Sequence, residues 1–172
     1  MKNKILLFAL ISLMLNQKSF GQLMTFGFVK NCMTYKRSTV TDELTKKQFF
    51  VVDRTKDGTN NPLMEGATYY SNAKQVDASK GEIGVLSLIN GTKQVTEISF
   101  VSGSKNDYSK NYTDVFNQMI KFFNNEQAFK SERYNKTEVL KFSKDKLFYY
   151  VFKNKETPTI VISNYKIDAE YF

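Results

Sequence analysis

The chain has 172 residues, of which 25 are lysine or arginine and 17 are aspartate or glutamate, so its net charge at pH 7 is +8. It contains no histidine, which excludes nucleophile–histidine catalytic pairs and the commonest zinc ligand. It contains one cysteine, so no disulfide can form within one molecule, but a chain of this length can bury a sufficient core as a single domain.

The N-terminus has the pattern of a secretory signal peptide. Two lysines precede an apolar run from Ile5 to Leu15, and small residues follow at Ser19 and Gly21. The run is shorter than the roughly 20 apolar residues that a membrane-spanning helix needs. We predict cleavage of residues 1–21 and a mature protein that starts near Gln22, in the periplasm or outside the cell. Removing this segment, which holds three lysines and no acid, leaves 151 residues with a net charge of +5.

The sole cysteine, Cys32, gives no sign of a lipoprotein anchor. The residues before it, Val29, Lys30 and Asn31, lack the apolar and small side chains that a lipoprotein signal places there. We expect Cys32 to be a small buried side chain near a helix.

The mature chain begins with predicted helical segments. Phe26, Val29 and Met33 have the spacing of one helical face, and Thr39 with Asp42 predicts a capping box that opens a second short helix ending near Lys47. Short runs rich in aromatic and β-branched residues then predict four strands. They cover Gln48–Arg54, Ala67–Asn72, Ile83–Ile89 and Gln94–Ser102.

The last two of these strands flank Asn90-Gly91, a sequence typical of a tight hairpin. Alternation along the following strand predicts that Thr96, Ile98 and Phe100 share the face that packs on the core. Val95, Glu97, Ser99 and Val101 are then expected on the opposite face.

A second helix and a second set of strands follow. Six apolar residues recur at the spacing of an amphipathic helix that ends at Asn124-Asn125, and we expect Phe116, Met119 and Phe123 to point into the core. The six are Tyr112, Val115, Phe116, Met119, Ile120 and Phe123. Four strands joined by turns at Asn135, at Lys144-Asp145 and near Pro158 predict an antiparallel meander. They cover Gln127–Tyr134, Thr137–Phe142, Leu147–Lys153 and Thr159–Ile167.

The order of elements predicts an α+β fold in one domain, residues 22–172. The chain runs from helix to strands twice, and we predict a duplicated unit at 25–102 and 108–172, with the polar segment Ser102–Asn106 between the halves. Each half has too few strands to cover its own apolar face. Both helical segments are therefore expected on one side of a largely antiparallel sheet.

This outline resembles an uncharacterised group of small secreted α+β proteins of Gram-negative bacteria. The resemblance is carried by the signal peptide, by the helical segment that closes on Leu44, Lys46, Lys47 and Phe49, and by the second helix with its meander. The outline is also similar to the tandem repeats of the β-lactamase inhibitory protein. The chain departs from those repeats because it has no cysteine pairs and no tryptophan. The resemblance implies a fold and assigns no functional residue.

Two segments resemble binding sites and are interpreted as ordinary structure. Asp53, Thr55, Asp57, Gly58 and Thr59 follow the first half of a calcium loop, but Met64 stands where the bidentate glutamate should be, so a turn is expected. Five lysines surround the predicted turn at Lys144-Asp145 and are interpreted as charges that guard exposed strand edges, rather than as a nucleic-acid contact. They are Lys141, Lys144, Lys146, Lys153 and Lys155.

The sequence therefore predicts no catalytic, cofactor-binding or metal-binding residue and no cofactor. We predict a non-enzymatic binding or inhibitory protein whose partner is a protein or a cell-envelope component, without nucleic acid and without a membrane span. A secreted enzyme that uses carboxylates and a structural envelope protein are the alternatives. An enzyme should place two acids together in a concave pocket, whereas a binding protein should expose an apolar, aromatic patch.

Overall fold

The computed structural model describes residues 24–52, 66–73, 81–101, 108–124, 130–134, 137–152 and 157–167. These ranges contain three helices and eight strands, and the α+β class is confirmed. The helices are α1 (Phe26–Cys32), α2 (Arg37–Lys46) and α3 (Tyr108–Phe123). The strands are β1 (Phe50–Val52), β2 (Thr68–Ser71), β3 (Glu82–Asn90), β4 (Lys93–Val101), β5 (Lys130–Tyr134), β6 (Thr137–Lys144), β7 (Leu147–Phe152) and β8 (Thr159–Ser163).

All eight strands form one antiparallel sheet in the order β1-β2-β3-β4-β8-β7-β6-β5. Each set of four is a meander, and the two meanders are joined through their last strands, β4 and β8. The helices pack on one face of this sheet, as the sequence predicts. No helix in the described part is long and apolar enough to cross a membrane.

The helix α2 begins earlier than the capping box predicts. Its N-cap is Lys36, whose side chain makes no capping hydrogen bond, and the first helical bond runs from the Val40 N–H to the Lys36 carbonyl at 3.0 Å. Thr39 therefore lies inside the first turn, where its side chain cannot cap, so the capping-box prediction of Thr39 with Asp42 is wrong. The conventional cap belongs to α1, where the Thr25 hydroxyl accepts a hydrogen bond from the Phe28 N–H.

The end of α2 directs the chain into the sheet. Gln48 has a φ of +65°, and the N–H groups of Gln48 and Phe49 donate to the Thr45 and Leu44 carbonyls at 2.9 and 3.0 Å. These two hydrogen bonds together form a Schellman motif, which ends a helix and reverses the chain. Phe49 and Leu44 are both buried in the core. The first residue of β1 therefore follows an anchored aromatic side chain.

Both predicted tight hairpins form, with turns one residue later than expected. Asn90 pairs with Lys93, so the turn is Gly91-Thr92, with glycine first at a φ of +57°. Lys144 pairs with Leu147, so the second turn is Asp145-Lys146, where both residues have positive φ. The strand before each turn therefore extends beyond its predicted end, by one residue to Asn90 in β3 and by two residues to Lys144 in β6.

The strand β8 is shorter than predicted, because it ends at Ser163 rather than at Ile167. The Ser163 hydroxyl donates to the Tyr165 carbonyl at 2.6 Å and accepts from the Tyr165 N–H at 3.1 Å, which bends the chain. Ile167 then lies against the sheet, where its N–H donates to the Tyr150 hydroxyl at 2.8 Å.

The main core lies between the helices and the sheet. The predicted core face of β4 is confirmed, since Thr96, Ile98 and Phe100 are all buried there. Other buried members of this core are Val29, Val40, Leu44, Tyr70, Ile83, Val85, Val115, Met119, Tyr149, Ile160 and Ile162.

The helix-free face of the sheet also contains a buried cluster. Ile167 contributes to it from the segment after β8, together with Leu88, Val95, Val139, Tyr150, Phe152 and Val161 from the strands. The sheet is therefore apolar on both faces at its centre. Alternation along β4, which places Glu97 and Ser99 on this second face, predicts only one buried face.

The apolar stripe of α3 is confirmed, but its members differ in burial. Val115, Met119 and Phe123 are buried, whereas Phe116 is only half-buried and stacks on Tyr112 with ring centroids 6.0 Å apart. Phe116 packs against the core without being enclosed by it, so the expectation that it points into the core is confirmed only in part. Phe116 lies at the border of the stripe, and Met119 lies at its centre.

The structure confirms that Cys32 is a buried side chain in a helix. It is the last residue of α1 and is 2% exposed. Burial raises the pKa of its thiol to about 12, because a thiolate would lose its hydration there.

We expect Met119→Ala to lower the free energy of unfolding by about 2–5 kcal/mol, because truncation leaves a cavity in the core. Phe116→Ala should cost less, since this side chain is already partly in solvent. Lys121→Ala, on the exposed side of α3, is the control and should change stability by no more than about 0.5 kcal/mol. Urea denaturation measures all three, and a loss for Met119→Ala no larger than for Phe116→Ala would contradict the packing described.

Candidate functional site

The two outer strands of the sheet differ in chemistry. The edge strand β5 has the sequence Lys-Ser-Glu-Arg-Tyr, in which three of five residues are charged. The edge strand β1 is Phe-Val-Val and has no charged residue. Charges on an edge strand prevent other strands from adding to it. By sequence, β5 is the end strand that contains charged residues, and β1 is the end strand that contains none.

Exposure marks the β1 edge as an apolar surface. Phe50 is 39% exposed and Val51 is 60% exposed, and they are the large apolar side chains that the described part of the chain leaves exposed. The sequence predicts a strand here but not a binding surface, because a run of Phe and Val equally fits a central, buried strand. The predicted strand Gln48–Arg54 includes Asp53 and Arg54, so the sequence gives no signal that sets the uncharged residues Phe50–Val52 apart.

The pairing of β1 with β2 shows which side chains lie side by side on each face of the sheet. Phe50 is opposite Ser71, and Val52 is opposite Tyr69, all on the helix-free face of the sheet. Val51 is opposite Tyr70 and points to the face that the helices cover. We refer to Phe50, Val51, Val52 and Tyr69 as the β1 surface.

A buried carboxylate supports the β1 surface on the helix-free face. Glu82, on β3, is only 4% exposed. Its carboxylate accepts hydrogen bonds from the Ser71 hydroxyl at 3.0 Å and from the Tyr69 hydroxyl at 3.4 Å. A buried polar group needs such hydrogen-bond partners, so these bonds fix the side chains of β2 that lie beside β1.

Gly84 makes room for this arrangement. Gly84 is on β3, opposite Ser71 of β2. A Cβ atom built on Gly84 would clash with the hydroxyl and ring of Tyr69. The Tyr69 ring therefore lies across the glycine to reach Glu82. A glycine within a strand often marks such a close approach.

Contacts on the opposite face tie the same region to α2. The hydroxyls of Thr41 and Tyr70 are hydrogen-bonded at 2.8 Å, which connects α2 to β2. The Arg37 guanidinium donates to the Gly66 carbonyl at 3.0 Å and to the Ile89 carbonyl at 3.1 Å. The strand next to β1 is thus held on both faces.

Glu82 and Glu97, two carboxylates on the helix-free face whose side chains the structure describes, are held by different partners. Glu97, on β4, lies opposite Leu86, and its carboxylate accepts from the Ser99 hydroxyl at 3.1 Å. Glu82 is four residues away from Leu86 along β3, which separates the two backbone positions by about 13 Å. Neither carboxylate is hydrogen-bonded to the other in the contacts described.

The lysines near the β6–β7 turn have structural contacts. Lys144 donates to the Phe122 carbonyl at 2.8 Å, at the end of α3, and lies 4.4 Å from the centre of the Phe122 ring. Lys30 lies 4.2 Å from the same ring and 3.6 Å from the Asp145 carboxylate. The interpretation as edge guards is wrong for this hairpin, because β6 and β7 are paired on both sides. Lys153 and Lys155 lie outside the described residues.

The calcium-like segment that starts at Asp53, the predicted signal peptide and the predicted linker Ser102–Asn106 also lie outside the described residues. Within the residues that are described, no three His, Cys, Asp or Glu side chains form a group that could hold a metal ion. The expectation of an ordinary turn after Asp53 stays a prediction.

Comparison with known proteins gives no relative. No protein-family model, no curated protein and no solved structure matches the chain. The similarity to the repeats of the β-lactamase inhibitory protein stays a prediction that rests on the order of elements.

We expect Gly84→Ala to destabilise the fold by about 1–3 kcal/mol, because the added methyl must displace the Tyr69 ring from its position beside Glu82. The cost should be smaller when Tyr69 is replaced by serine, so a double-mutant cycle should show coupling between the two positions. Gly27→Ala in α1, where a Cβ meets nothing within 4 Å, is the control and should be neutral or stabilising. An equal cost for Gly84→Ala with and without the tyrosine ring would contradict this contact.

Proposed function

We propose that this protein is an exported, non-enzymatic binding protein that acts in the periplasm or outside the cell by binding another protein. The β1 surface carries the proposal, since its exposed side chains, Phe50 and Val51, are apolar and belong to the strand at one end of the described sheet. Phe50 and Val51 project to opposite faces of the sheet, so each face of this end strand has an exposed apolar side chain that a partner protein could contact.

The contacts that hold β1 and β2 in place support a binding function. The chain enters β1 from the buried Phe49, and β2 is fixed through Glu82 on one face and through α2 on the other. A surface that is already ordered loses little conformational entropy when a partner binds. An exposed strand that is merely frayed would lack these attachments.

The carboxylates favour a binding protein over the enzyme alternative. General acid–base hydrolysis of a glycosidic bond, for example, uses two carboxyl groups about 5–9.5 Å apart across the bond that is cleaved. Glu82 is buried and bonded to two hydroxyls, and Glu97 is bonded to Ser99. Lys144 and Lys30 make contacts within the protein, which favours a protein partner over nucleic acid.

Export is tested by the mass of the protein made by cells that carry the complete coding sequence. We expect the species recovered from the envelope fraction or the medium to lack residues 1–21 and to start near Gln22, because the leader has the charge and length of a signal peptide. Intact mass spectrometry of each fraction measures this. A full-length chain confined to the cytoplasm would contradict both the localisation and the choice of partner.

Binding is tested with the purified mature protein and an exported fraction of the same cells. We expect one protein to be retained in saturable, stoichiometric amounts and to be displaced by excess free mature protein, as a specific interface requires. Isothermal titration with the isolated partner then gives the affinity. Turnover of an envelope polymer that is lost in both Glu82→Gln and Glu97→Gln would support the enzyme alternative instead.

A further inference from the structure

We infer that α3 binds the amino terminus that signal-peptide cleavage creates, so that the α-amino group of Gln22 donates to the Asn111 side chain and pairs with the Asp114 carboxylate. This inference rests on the proposed export, because it needs a mature chain that starts at Gln22. The ligand is thus a segment of the chain itself, Gln22-Leu23, which directly precedes the described residues.

A buried side-chain amide of α3 has only one of its two polar atoms paired. Asn111 lies in the first turn of α3 and is 8% exposed. Its Nδ2 donates to the Met24 carbonyl at 3.3 Å, whereas its buried Oδ1 accepts no hydrogen bond from the part of the chain that the structure describes. The bond to Met24 fixes the orientation of the amide, so Oδ1 is the atom that needs a donor. A buried acceptor without a donor is unfavourable.

The chain just before α1 is held against α3. Met24 is 1% exposed and belongs to the main core. Two residues later, the Phe26 N–H donates to the Gln118 side-chain oxygen at 3.1 Å, and Gln118 lies two turns along α3 from Asn111. Met24 and Phe26 are therefore fixed against the same side of α3, and the mature amino terminus extends from this fixed position.

The length of chain before Met24 matches the reach of the site. After the proposed cleavage, two residues remain there, Gln22 and Leu23. Two residues span at most about 7 Å, so the new α-amino nitrogen stays within that distance of the Met24 nitrogen. The Asn111 amide is bonded to the carbonyl of the same Met24. An ammonium also has three donor hydrogens, whereas in the uncleaved chain the same nitrogen belongs to a peptide group with one.

Charge favours an ammonium at this site. Asp114 is half-buried and lies three residues after Asn111, which places both on one side of α3. Asp114 takes part in neither of the ion pairs found between described residues, so its carboxylate has no ionic partner among them. The amino end of α3 opposes a cation with a partial charge of about half an elementary charge, and the full negative charge of Asp114 exceeds it.

A bound water is the alternative donor for Asn111 Oδ1. Buried waters commonly satisfy polar groups of this kind, and a water would do so wherever the chain begins. The α-amino group reaches Oδ1 only in a chain that starts near Gln22. Chains with different starts therefore distinguish the two donors.

The test compares two purified chains with defined starts. One starts at Gln22, and the other has two additional glycines before Gln22, which move the ammonium away from Asn111 without changing the net charge. At about pH 6, where an α-amino group is protonated, we expect the first chain to melt about 2–4 °C higher, because it has one more charged contact. The side-chain amide resonances of Asn111 should also differ between the two chains. Intact mass checks that Gln22 has not cyclised with loss of ammonia, which would remove the ammonium.

Two substitutions show whether the effect belongs to this site. Asp114→Asn keeps the shape of the side chain and removes its charge, and we expect it to reduce the difference in melting temperature between the two chains by at least about half. Asp42→Asn makes the same change at an exposed position of α2 and should leave the difference as it is. Each variant is measured with both starts, so a general loss of stability cancels.

The outcomes separate this inference from the proposed function. Equal melting temperatures and identical Asn111 resonances in the two chains would assign Oδ1 to a bound water and overturn the inference. A difference that Asp114→Asn leaves intact would also overturn it, since the ammonium would then be bound elsewhere. An exported protein that starts far from Gln22 would contradict the proposed cleavage, whereas binding of the amino terminus by α3 is decided by the two defined chains alone.

Discussion

The pairing of β4 with β8 is the contact on which the rest of the fold depends. Five residue pairs, from Val95 with Ser163 to Ser99 with Thr159, join the two four-stranded meanders into one sheet. Bonds at both ends of the joint extend it: the Phe100 N–H donates to the Pro158 carbonyl at 2.9 Å, and the Asn164 side chain bridges Thr92 and Gln94. Without this joint, each meander would expose two of its strand edges instead of one.

The same joint places the helices and the outer edges. Because the meanders meet through their last strands, their first strands, β1 and β5, become the two ends of the sheet. The three helices can then share one continuous apolar face, where the rings of Phe26, Phe122, Phe123 and Phe142 surround Tyr149. The Lys144 ammonium at the end of α3 is favourable for a further reason, since it faces the negative end of the helix dipole. The topology thus decides which strand is left as an edge.

Sequence periodicity predicts the elements of this fold well and their contacts less well. The stripe of α3 and the core face of β4 follow from spacing alone, because each has one polar side. The same alternation does not predict the buried cluster around Val161, since that depends on chain that folds back from beyond Ser163. The early start of α2 has a similar origin. Arg37 is held by carbonyls of Gly66 and Ile89, which are distant in sequence, and this tertiary contact outweighs the local capping signal.

The β1 surface also depends on contacts between distant residues that local sequence does not predict. The strand character of Phe50–Val52 is local information, but its position at the edge depends on the order of all eight strands. The support from Glu82 is even less predictable, because it requires the register that brings Ser71 opposite Gly84. A carboxylate that looks like a surface charge in the sequence is therefore a buried anchor in the structure.

Because Cys32 is buried, its reaction with thiol reagents can be used to measure how often helix α1 separates from the sheet. A thiol whose pKa is raised to about 12 has almost no thiolate at neutral pH, and its side chain is out of reach of reagents in the closed state. Chemical modification therefore has to wait until α1 separates from the sheet. The rate of thiol labelling under native conditions then reports the free energy of that opening, independently of global unfolding. The same burial protects the only cysteine from forming mixed disulfides while the protein is folded.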